Sequence, residues 1–123
     1  MVRKLYINES SKILESTKAT NRMKKNKVFI KLEKLLNKYN YTLRQAYLND
    51  NGIPLVDFKP NEQTDVFVCC DYKGNLEIYS KGFRGDIDDA ESTVSKMNNA
   101  ISLLSKLETI DFSKLPTFDE LLA

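Results

Sequence analysis

Asp65-Val66-Phe67-Val68-Cys69-Cys70-Asp71-Tyr72, Lys73-Gly74-Asn75 and Leu76-Glu77-Ile78-Tyr79-Ser80 follow one another without a break, and together they decide the fold class. The outer stretches are rich in β-branched, aromatic and aliphatic residues. The Gly-Asn between them tolerates positive φ, which predicts a tight β-hairpin within residues 65–83. Leu76, Ile78 and Ser80 share one face, with Glu77 and Tyr79 on the other. Gly82-Phe83-Arg84-Gly85 then breaks the sheet. Beyond it, Asp86, Asp88, Asp89 and Glu91 load the first turn of a helix with acids that oppose the positive end of its dipole. Ile87, Ala90, Val94, Met97, Ile101 and Leu104 recur at spacings of three and four, flanked by Ala100, Leu103 and Leu107, so a long helix is expected over 86–108. The result is an α+β fold: N-terminal basic helices, a small antiparallel sheet of two or three strands around the 65–83 hairpin, and the 86–108 helix covering one sheet face. The helix stripe spans about two and a half heptads, so packing on the sheet is its expected use and a homodimer seam the alternative.

Upstream, Val28, Leu32, Leu35, Leu36 and Tyr39 form one helical stripe over residues 27–39, while Lys27, Lys31, Lys34 and Lys38 repeat on the opposite side. One face enters the core and the other presents a row of cations. Residues 8–26 are polar and weakly periodic, with Asn8 or Ser10 as a cap and Ile13, Leu14 and Met23 as the few apolar contacts. Residues 1–26 therefore read as a basic arm or a surface helix. Thr42 to Asn49 can continue as a second short helix ending at Asp50-Asn51-Gly52, and Ile53 to Phe58, with Pro54, suits an edge strand. The tail, residues 109–123, carries Ile110, Phe112, Leu115, Phe118, Leu121 and Leu122, and Thr117 with Glu120 fits a capping box. Such a tail is expected to dock on the core of one domain formed by all 123 residues.

Composition narrows the functional classes. Hydrophobic residues make up 41% and charged residues 29%, a globular balance. No apolar run approaches the roughly 20 residues that span a bilayer, and the start, Met1 to Asn8, has too short an apolar stretch for a signal peptide. The adjacent Cys69 and Cys70 point to opposite faces of a strand, which suits reduced, structural thiols and a cytoplasmic location. The chain contains no His, the commonest general base and metal ligand, so no enzyme, cofactor or metal is expected. Asp86 to Glu91 fails the calcium-loop pattern, having Glu91 where a Gly is required and Met97 where a Glu is required. Asp57-Phe58-Lys59 lacks the upstream acids of a nuclease. Arg84-Gly85-Asp86 matches the adhesion tripeptide by spelling only, and the four glycines lack phosphate-loop spacing.

The net charge of +2 hides a marked asymmetry. Residues 1–44 hold twelve Lys/Arg against three acids, a charge of +9, and residues 45–123 hold seven against fourteen, a charge of −7. Clustered cations of this kind attract phosphate through a salt-sensitive field. Arg22, Lys24, Lys25, Lys27, Lys31, Lys34, Lys38 and Arg44 are the candidate contacts. The expected function is a non-enzymatic regulatory protein of a phage, plasmid or other mobile element, a source suggested by the Lys/Asn/Ile-rich, His-free composition. Its expected partner is nucleic acid, DNA before RNA, or a nucleic-acid-binding protein. The rival reading is a protein inhibitor of a host enzyme or defence system, or a dimeric structural or adaptor subunit.

One stretch adds a resemblance. Leu35-Leu36-Asn37-Lys38-Tyr39-Asn40-Tyr41-Thr42, followed by Gly52-Ile53-Pro54 and Phe58, resembles the start of a phage-repressor-type helix-turn-helix. The resemblance implies DNA binding, with residues 55–60 as the recognition helix and the 66–80 hairpin as a wing. Those residues, Leu55-Val56-Asp57-Phe58-Lys59-Pro60, are apolar and acidic and offer almost nothing with which to read bases.

Overall fold

A computed structural model of the chain describes residues 17–71, 73–81 and 87–123, with the backbone alone for Thr17 and residues 87–90. The expected cap at Asn8 or Ser10, the contacts of Ile13 and Leu14, the Gly82–Gly85 break and Asp86 lie outside these residues. So do the side chains of Ile87, Asp88, Asp89 and Ala90. In chain order the elements are helices α1 (Thr17–Lys25) and α2 (Lys27–Lys38), and strands β1 (Tyr41–Leu48), β2 (Pro54–Pro60), β3 (Val66–Cys70) and β4 (Leu76–Ser80). Helix α3 (Ile87–Leu107), a 3-10 turn (Phe112–Lys114) and helix α4 (Phe118–Leu122) follow. Helices packed on two small antiparallel hairpins make the fold α+β.

The expected hairpin is β3–β4, in register from Val66 opposite Ser80 to Cys70 opposite Leu76. Its turn is organised by Asp71, whose carboxylate accepts from the backbone N–H groups of Lys73 and Asn75, both at 2.9 Å. Gly74 has φ +87°, and a Cβ there would lie 2.1 Å from the Pro54 carbonyl oxygen, so only glycine lets this turn close on the start of β2. Helix α3 covers the hairpin, as the periodicity predicts, but its seam is rotated. Ala100, Leu103 and Leu107 are buried, whereas Val94 and Ile101 are 59% and 47% exposed. Apolar residues occupy more than half of this helix's circumference, so spacing alone does not determine which of them turn inward.

Residues 42–49 depart from expectation. All but Asn49 lie in β1, which pairs antiparallel with β2 from Tyr41 opposite Pro60 to Leu48 opposite Pro54. The helix-turn-helix resemblance is overturned with them, because Leu55–Pro60 lies in a strand and no recognition helix exists there. Two local devices impose the strand. Asn40 ends α2 with φ +63°, in the left-handed region that Asn tolerates. Asn49 then builds the return turn, its side-chain oxygen accepting from the N–H groups of Asn51 (3.0 Å) and Ile53 (2.9 Å), with Gly52 at φ +76°. Pro54 and Pro60 stand at the ends of β2, where a missing N–H is tolerated.

The two hairpins are separate sheets, joined by the buried Tyr41. Its ring meets Phe58 edge-on at 5.8 Å, and its hydroxyl accepts the Val68 N–H at 3.1 Å. On the far side, Leu48 donates its N–H to Pro116 O at 2.8 Å and bridges Thr117 in parallel. Thr117 caps α4 by accepting the Glu120 N–H at 3.1 Å, and this helix buries Leu121 and sets Phe118 beside Tyr47, ring centres 5.9 Å apart. Among the described residues no helix is long and apolar enough to cross a membrane.

A β-bulge at Arg44 shifts the register between Leu43 and Gln45. Gln45 is fully buried, and neither its Oε1 nor its Nε2 has a hydrogen-bond partner among the described groups. An unsatisfied buried amide is destabilising, and an apolar side chain of similar shape removes the penalty. Gln45→Met is expected to raise unfolding free energy by about 1–2 kcal/mol, measured by urea denaturation; a loss of stability would show that the amide is satisfied.

Candidate nucleic-acid interface

The helix that carries the lysine row is started by a single residue between α1 and α2. Asn26 has extended backbone (φ −68°, ψ 129°), and its side-chain oxygen accepts from the N–H groups of Val28 (2.9 Å) and Phe29 (3.0 Å), capping α2. Its Nδ2 donates to Lys114 O at 3.3 Å, tying the cap to the C-terminal segment. With α2 starting at Lys27, its 3.6-residue period sends Phe29, Leu32 and Leu36 into the core. Val28, Leu35 and Tyr39 pack partly buried beside them. Lys27, Lys31, Lys34 and Lys38 then fall within one exposed stripe, about 16 Å long at 1.5 Å per residue.

Of the eight candidate residues, Lys27, Lys31, Lys34 and Lys38 share the α2 stripe. Lys24 and Lys25 are exposed at the end of α1 and lead through Asn26 into the α2 row. Lys24, Lys25 and Lys38 occupy last turns, where a cation opposes the negative end of the helix dipole. The other two are engaged elsewhere. Arg22 donates to Glu120 O at 3.0 Å, holding α1 against α4. Arg44, on the bulge, stands 3.8 Å from the Asp57 carboxylate. The only ion pairs among the described residues are Arg44–Asp57 and Lys96–Asp65, so the six lysines form none. The cations at Arg3, Lys4 and Lys12 lie outside the described residues.

Where the lysine row ends, the chain enters a cleft of about 310 Å³ that sequence reading did not reveal. Its wall combines Tyr39–Tyr41, the strand end and loop at Pro60–Val66, and Ser95–Asn99 of α3. These segments are distant in sequence, so no local pattern signals their meeting. Tyr39 is held by a 2.9 Å hydrogen bond between its hydroxyl and that of Ser102. Lys96 donates to Asp65 at 2.7 Å, and this hydrogen bond holds the Asp65 carboxyl below the usual carboxylate range.

Both thiols are held toward the protonated form. Burial pushes Cys70 up to about 11, against the Val56 backbone N–H, and burial together with Glu77 raises Cys69. Among the described residues no three His, Cys, Asp or Glu side chains gather where a metal ion could be held. No protein-family model, curated protein or solved structure matches the chain.

Two outcomes are expected. Asn26→Ala removes the cap and costs about 1 kcal/mol of stability, readable as a lower urea midpoint; an unchanged midpoint would remove Asn26 from this role. Because raised thiol pKa values lower the thiolate fraction at neutral pH, alkylation by iodoacetamide at pH 7 should be slower at both thiols than for free cysteine, and slowest at Cys70. The rate should still be climbing above pH 9, and a plateau near pH 8.5 would contradict the assigned environments.

Proposed function

We propose that this protein is a non-enzymatic regulator that engages nucleic acid, or a complex of nucleic acid with protein, through the lysine face of α1 and α2. The observation that carries the reading is the exposed row Lys27, Lys31, Lys34 and Lys38, extended by Lys24 and Lys25. It forms no ion pair with any described residue and is backed by a buried apolar face. A row of unneutralised cations on a rigid helix favours a polyanion, because each phosphate contact releases a counterion. The lysines serve as phosphate contacts, which position a strand without reading its sequence. The β1–β2 hairpin supplies no helix for a major groove, so sequence-specific repression through this region is not part of the proposal.

Fluorescence anisotropy with labelled single-stranded and duplex DNA and RNA, across a salt titration, tests the reading. With about six phosphate contacts, affinity should fall on the order of a thousandfold between 50 and 200 mM salt. Lys31→Glu combined with Lys34→Glu should weaken binding by more than about tenfold and flatten the salt dependence, while Arg44→Ala should change little. Absence of binding at low salt, or affinity indifferent to salt, would overturn the proposal.

A further inference from the structure

We infer that the cleft at the end of the lysine row is a pocket for one unpaired nucleobase of a single strand whose phosphates lie along α2. The inference rests on the polyanion reading above and adds to it a preference for single strands. Lys38, the last cation of the row, directly precedes Tyr39 and Asn40, which form part of the cleft wall. A strand following the row is therefore delivered to the cleft mouth. Asn40 is fixed there in its left-handed conformation, its carbonyl accepting the Asn61 N–H at 2.8 Å.

Size and lining both suit a base. At about 310 Å³ the cleft lies at the low end of the range that small-molecule sites occupy. It can take a planar ring swung out of a strand, whereas a paired base inside a duplex offers only its edges. Tyr39, Pro60 and Val66 supply aromatic and apolar wall, and the Ser102 contact holds the Tyr39 ring in place. Asn40, Gln63 and Asn99 place side-chain amides around the opening, each with donors and an acceptor that match base edges. The Glu62 carboxylate is an acceptor for an exocyclic amino group.

The charge distribution separates base from phosphate. The lining cation, Lys96, is already bound to Asp65 at 2.7 Å, and Glu62 adds a negative charge. A phosphate gains little by entering, while the lysines outside, which pair with no described carboxylate, attract it. A neutral, hydrogen-bonding ring on a charged backbone fits this division.

The test uses the full chain and four labelled probes at one low salt concentration: a mixed-sequence single strand of DNA, its RNA counterpart, the same DNA strand with abasic sites, and its duplex. Wild-type protein should bind at least one intact single strand about tenfold more tightly than the abasic strand or the duplex, the combined effect of stacking and hydrogen-bonding one base. Gln63→Ala combined with Asn99→Ala should erase most of that difference and leave affinity for the abasic strand unchanged. Ser95→Phe, which fills the cleft from an exposed helix position, should do the same. Equal affinity for intact, abasic and duplex probes would overturn the base pocket while leaving the lysine face standing, as would a single-strand preference that survives both variants. Failure of every probe to bind would overturn the lysine face, and the pocket with it.

Discussion

The Asn26 cap is the constraint on which the rest of the structure depends. By accepting the Val28 and Phe29 N–H groups it determines that α2 begins at Lys27. Within that helix the 3.6-residue period groups Phe29, Leu32 and Leu36 on one face, and their burial turns Lys27, Lys31, Lys34 and Lys38 outward. The same side chain reaches Lys114 O, and Arg22 reaches Glu120 O, so both N-terminal helices are fastened to the C-terminal segment. The backbone that carries the lysines is thus anchored, so ordering on meeting an anion is confined largely to the lysine side chains.

The sheet supports this arrangement with very few strands. Two-stranded hairpins are marginal by themselves, and each here is completed by neighbours. Tyr41 spans from β1 to the Val68 N–H of β3, and Leu48 extends β1 into the Pro116–Thr117 segment. Gly74 lets the second turn press against Pro54, closing the two hairpins on each other. The cleft sits on the joint between them, bounded by the end of α2, the loop after β2 and the flank of α3. Its position follows from the way two small hairpins share one long helix.

The sequence disclosed those parts whose cause is local. The 65–83 hairpin was legible because Gly74-Asn75 separates two β-rich runs, and the lysine row because its period matches the apolar stripe behind it. Thr42-Leu43-Arg44-Gln45-Ala46-Tyr47-Leu48-Asn49 reads as helical because its apolar positions fit both periods. Pairing with β2, prepared by the left-handed Asn40 and the Asn49 turn, decides for the strand. Arg22 and Arg44 read as equivalent to the lysines, yet their tertiary partners, the Glu120 carbonyl and the Asp57 carboxylate, take them out of the row. The cleft was illegible for a related reason: three separate segments form it, and none is unusual alone.

The lysine face of α1 and α2 is proposed as the surface that meets a polyanion. Titrating the isotopically labelled protein with a short single-stranded oligonucleotide, while following backbone amide shifts by NMR, tests it most directly. The account requires the largest shifts along Lys24–Lys38, with the cleft residues Asn40, Gln63 and Asn99 moving alongside, and reversal of both on adding salt. Shifts concentrated instead around Val94 and Ile101 of α3, or an unchanged spectrum at low salt, would contradict it.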